Sequence, residues 1–138
     1  MIFLVHVPFT DVSIAGELGL ADYSYYFVMQ AYLPVLQTLG NVVEIGDPLR
    51  EADEWHRKCA ARGEYCVLLC FAPPHRVPLH LECPVVPVIA WEYDSLPDAA
   101  WGDRRETDWL KVLAMLGRAI THSEFTAKVV RRAIRPDY

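Results

Sequence analysis

Short apolar runs rich in β-branched residues, all but one followed by a helix-like segment, constrain this chain more than any other feature. They cover residues 2–7, 41–45, 65–71, 86–90 and 119–121. Near-continuous apolar runs of that length suit strands covered on both faces, as in a parallel sheet. Parallel neighbours cannot be joined by a hairpin, so each needs a crossover, usually a helix. Helical spacing fills the gaps. Residues 23–39 carry Tyr26, Phe27, Gln30, Leu33, Leu36 and Leu39 as one stripe, with Asp22 as cap and Gly40 as stop, and Pro34 inside must kink or split the helix. Residues 50–62 predict a mostly exposed, charged helix closed by Gly63. Residues 106–117 predict a third helix, with Trp109, Leu110, Val112, Leu113 and Leu116 buried, Thr107 as cap and Asp108 in the positive first turn. Residues 124–134 predict a fourth, capped by Ser123. The order β-α-β-α-β-β-α-β-α predicts an α/β fold over residues 1–138 as one domain. It is a Rossmann-like, twisted parallel sheet with helices on both faces and right-handed crossovers.

Between the third and fourth strands the pattern changes. Pro73, Pro74, Pro78, Pro84 and Pro87 predict an extended surface segment over residues 72–87. His75 and His80 within it read as solvent-facing, since nothing nearby in sequence orients them. Composition sets limits on function. With 53% hydrophobic and 22% charged residues the chain has a core to bury and is not of the disordered class. A net charge of -5 leaves no basic footprint, which argues against nucleic acid or an anionic membrane surface as the main partner. No apolar run reaches the ~18 residues of a membrane span, and the first residues lack the basic start of a signal peptide. Cys59, Cys66, Cys70 and Cys83 form no Cys-x-x-Cys pair and no zinc spacing with His75 or His80, so no metal is expected. Cys66 and Cys70 read as small core residues, and reduced thiols point to the cytoplasm.

The candidate site lies where the fourth strand stops. After Ala90 the chain reads Trp91, Glu92, Tyr93, Asp94, Ser95, Leu96, Pro97. If it stays extended, alternation puts Trp91 and Tyr93 on one side and Glu92 and Asp94 on the other. In open α/β sheets the carboxyl end of the strands is where ligands bind. The plain alternative is a turn bearing two solvated carboxylates. Gly16 and Gly19 lie in the loop after the first strand, where glycine lets a ligand approach the backbone, although a flexible loop has the same composition.

Taken together, residues 90–97, Trp101, Asp108-Trp109-Leu110 and Ile120-Thr121-His122-Ser123-Glu124-Phe125 resemble a recognisable pattern. It is similar to the amino-terminal domain of GT-B glycosyltransferases of the retaining, nucleotide-sugar-dependent family 4 type. The resemblance covers about residues 85–130 and fades upstream. It implies a GT-B half-domain that holds a carbohydrate or lipid-linked acceptor, with a nucleotide sugar as co-substrate of the complete enzyme and no cofactor. By the same resemblance Asp94 would hydrogen-bond, and in one version deprotonate, the acceptor hydroxyl, with Glu92 as second choice. The leaving phosphate would share in that deprotonation. Gly16, Tyr93, Ser95, His122 and Ser123 would line the acceptor side. A carboxy-terminal donor-binding domain, or a partner chain in its place, is absent from these 138 residues, so the isolated chain is expected to be inactive. A lipid-linked acceptor would bring peripheral membrane association, and a homo-oligomer stays open. The competing expectation is a stand-alone Rossmann-like module that binds a small ligand without catalysis.

Overall fold

The computed structural model describes residues 1–8, 24–97 and 108–134. Strands β1 (Ile2–His6), β2 (Asn41–Glu44), β3 (Cys66–Phe71), β4 (Val85–Ile89) and β5 (Ile120–Thr121) form one parallel sheet in the order β2-β1-β3-β4-β5. Helices α1 (Ser24–Leu39), α2 (Pro48–Ala60), α3 (Trp109–Leu116) and α4 (Glu124–Ala133) accompany it, and a 3₁₀ turn, Pro74–Arg76, follows β3. The fold is therefore the Rossmann-like α/β type that the alternating runs predict.

Side-chain alternation along each strand divides the core into two layers. Leu4, Leu68 and Val85 face α2 and α3, where they meet Ala52, Cys59 and Val112. Val5, Leu69 and Val88 face α1 and meet Tyr25, Met29 and Leu36. Leu4, Val5, Leu68 and Val88 are wholly buried, each stabilising by about 1.5–3 kcal/mol relative to exposure. The steps from β1 to β2 and from β2 to β3 run in opposite directions across the sheet. Their helices lie on opposite faces, as one crossover hand requires. The winding thus reverses between β1 and β3, and ligands in such sheets bind outside the carboxyl ends near that point.

The helices start where local chemistry tells them to. Asp47 caps α2 by accepting from the Leu49 amide at 3.1 Å, while Glu51 reaches back to the amides of Gly46 and Asp47 at 3.0 and 2.7 Å. Pro48 occupies the first turn, where its missing amide costs nothing. Helix α3 is capped by Asp108, which accepts from Leu110 at 2.8 Å, and so begins later than residue 106. Asp108 is the cap itself, not a first-turn residue behind Thr107, because its extended backbone aims the carboxylate at those amides. Gly117, in the left-handed conformation at φ 66, closes it.

Other expectations needed correction. The buried stripe of α1 is Tyr25, Met29 and Leu36, with Phe27 and Leu39 exposed, so the face is turned by about one residue from the expected stripe. Both stripes have helical spacing, and the sheet decides between them. Pro34 neither splits α1 nor enters the core, because it sits on the exposed side. Gly40 directly follows the last residue of α1, as expected of the stop, but not in a left-handed turn. A Cβ there would stand 2.5 Å from the Met1 carbonyl oxygen, which only glycine allows. The proline-rich stretch is not a surface segment throughout, since Ala72, Pro73, Pro74, Val77 and Cys83 are buried. A proline brings no amide that needs a partner, which lowers the cost of burial. Pro87 lies inside β4, an interior strand. The Leu68 amide bonds the Pro84 carbonyl, so by alternation Pro87 turns toward β5, one residue before pairing with β5 begins at Val88.

Candidate functional site

Beyond Ile89 the chain leaves the sheet and builds an aromatic wall. Trp91 is half-buried, and its indole N–H donates to the Ser95 carbonyl at 2.7 Å, closing the bend through Tyr93, Asp94 and Ser95. Tyr93 packs beside Trp91, with ring centroids 5.0 Å apart and planes at 57°, but the bend replaces the expected alternation, since Glu92 lines the same cavity as both rings and Asp94 does not. On the other flank Trp109 meets Trp91 at 4.7 Å and 61°. Trp109 is buried at the start of α3. The Asp108 cap sets where that helix begins and thereby delivers the indole to this edge.

Trp109 in turn orients His75. Its indole N–H donates to His75 Nδ1 at 2.9 Å, with the two rings 21° from parallel. A ring nitrogen that accepts carries no proton, so the His75 proton sits on Nε2. This pair was invisible in the sequence, which offered nothing near His75 to orient it. From the opposite face Tyr25 reaches the end of β4, where its hydroxyl donates to the Ala90 carbonyl and accepts from the Ala90 amide, both at 3.3 Å.

These groups border an open cavity of about 410 Å³, lined among the described residues by Tyr25, His75, Trp91, Glu92, Tyr93 and Trp109 together with Ser24 and small or proline residues. It opens at the carboxyl ends of β3 and β4, one strand away from the winding reversal. At the reversal, His6 ends β1 and is buried; its Nδ1–H donates to the Ile45 carbonyl at 3.1 Å. Burial holds the His6 pKa below its ordinary value, opposed by the Ile45 bond and by Asp47 and Glu51.

The residues singled out in the sequence divide among three places. Glu92 is exposed and on the cavity wall, and Tyr93 is beside it. Asp94 and Ser95 are exposed on the bend and line a separate, shallower depression with Trp91, Tyr93, Leu96 and Pro97. His122 and Ser123 belong to the start of α4, outside the cavity lining. The His122 ring stands edge-on to Tyr32 of α1 at 5.9 Å, and partial burial lowers its pKa. The Ser123 hydroxyl accepts from the Thr126 amide at 3.1 Å as the helix cap. Thr126 was not anticipated. Wholly enclosed, it donates from its hydroxyl to the Trp91 carbonyl at 2.6 Å, tying the start of α4 to the aromatic wall. Its place in the Ser-Glu-Phe-Thr run was the available signal. Gly16 and Trp101 lie outside the described residues, as do Gly19, Asp22 and Thr107.

Cys59, Cys66, Cys70 and Cys83 are buried free thiols. Among the described residues no group of His, Cys, Asp or Glu side chains is placed to hold a metal ion, and no helix is long and apolar enough to cross a membrane. Compared with family models, curated proteins and solved structures, the chain matches none.

Proposed function

We propose that this domain is the acceptor-side half of a GT-B glycosyltransferase, holding a sugar acceptor for a nucleotide-sugar donor presented by another domain or chain. The observation that carries the reading is the aromatic cavity at the carboxyl ends of β3 and β4, with Glu92 on its wall. Indole and phenol faces stack on the apolar faces of sugar rings, and a carboxylate accepts from sugar hydroxyls. The resemblance of residues 85–130 to that glycosyltransferase type points to the same segment.

On this reading Glu92 is the carboxylate nearest a bound sugar. Asp94, on the outer side of the bend, meets the acceptor hydroxyl once the donor-binding partner closes the cleft, because a carboxylate accepts a proton only from hydrogen-bond distance. Transfer also needs donor and acceptor held together, an effect worth about 7–11 kcal/mol. The isolated chain therefore binds acceptor without turnover. Titration with simple sugars and with nucleotide sugars, followed by the fluorescence of Trp91 and Trp109, tests the assignment. Sugar binding with no steady transfer is expected. Tight binding of a nucleotide sugar with no response to sugars would place this chain on the donor side and reject the reading.

A further inference from the structure

We infer that the cavity receives a protonated amine, so that the acceptor is an amino sugar; the sugar half of this inference rests on the acceptor-side reading above. The geometry of the rings is the first ground. Trp91 and Tyr93, the rings with accessible surface here, have planes turned by 57° to one another, while the buried Trp109 backs Trp91 edge to face. Two ring faces set at that angle both bring their negative quadrupoles to bear on one compact cation.

Charge is the second ground. Glu92 is the one carboxylate, and there is no lysine or arginine, among the described residues that line the cavity. Among the described residues no Lys or Arg pairs with it. His75 adds no positive charge to the wall, because accepting from Trp109 through Nδ1 requires the neutral ring. A phosphate or carboxylate ligand would meet Glu92 and aromatic faces with no Lys or Arg to balance it among the described lining residues. Size is the third ground. At about 410 Å³ the cavity exceeds what a lone ammonium group fills and has room for the ring that carries it.

The test compares D-glucosamine, D-glucose and tetramethylammonium at constant ionic strength, at a pH where the amine is protonated, by calorimetry and indole fluorescence on the 138-residue chain. Glucosamine should bind about tenfold or more tightly than glucose, the scale of a desolvated cation–π contact. Glu92→Gln should remove that advantage, and Tyr93→Leu should reduce it. Both positions are exposed, so neither variant endangers the fold. Equal binding of glucosamine and glucose, or an advantage that survives Glu92→Gln, would overturn the amine site and leave the sugar reading standing. Tetramethylammonium bound as tightly as glucosamine, with glucose silent, would keep the amine site and reject the sugar acceptor. Binding of none of the three would overturn both.

Discussion

At the amino edge of the sheet, Cys66 opens β3 with its thiol in hydrogen-bonding reach of Cys59 and Cys83, and burial pushes that thiol's pKa up. The Cys83 amide is met by the Asp53 carboxylate at 2.9 Å, and Gly40 lets the Met1 carbonyl approach too closely for any side chain. At the carboxyl edge the rings of Trp91 and Tyr93 are partly or largely exposed, and His75, Glu92 and Tyr25 bring polar atoms to a cavity. One edge spends its chemistry on closing the core and the other holds it open. Functional groups in such a sheet are thus told apart by what they leave accessible, not by residue type. The thiols, reactive by nature, are inert here, and the indoles, core residues by habit, line the candidate site.

The widest test of this contrast is Trp109→Ala. Trp109 is 4% exposed and bonded to His75, so it serves core and cavity together. Truncation should cost about 3–5 kcal/mol in chemical denaturation. A loss under about 1 kcal/mol, as for surface substitutions, would mean that the wall does not depend on the core. At the opposite edge Gly40→Ala has to displace backbone, since the new Cβ would meet Met1 O at 2.5 Å. A cost of about 1–3 kcal/mol is expected, with no change in ligand response. A change in sugar binding in that variant would show that the edges are coupled.

The thiols give a pH test of closure. Burial raises Cys66 and Cys83 above the ordinary value of 9.0. The unfolded chain therefore loses these protons first. Their contribution is fully present below about pH 9 and is lost as pH rises toward the folded values, by up to about 1.4 kcal/mol per pH unit per thiol. Cys66→Val should flatten the alkaline limb of a stability profile, and an unchanged limb would mean that this edge admits water. Smallest is Ser123→Ala at the carboxyl edge, where loss of the α4 cap should cost about 1 kcal/mol. Weaker sugar binding in the same variant would give Ser123 a role at the site beyond its cap.

Much of the fold could be read from residues that act over a few positions. The apolar runs named the strands, and Ser123 and Gly117 marked helix ends through their own backbone geometry. The phase of α1 could not be read that way, because the stripe led by Tyr25 and the stripe led by Tyr26 have the same spacing. Only the sheet beneath the helix selects one. The candidate site could be named from the sequence as a place, the end of β4, but the contacts around it could not. Trp109 finds His75 across 34 residues, Thr126 finds Trp91 across 35, and Tyr25 finds Ala90 across 65. Caps and periodicity depend on torsions within a turn of chain, which the sequence itself determines. These contacts exist only because parallel strands return every crossover to the same edge, and that return is a property of the packed sheet.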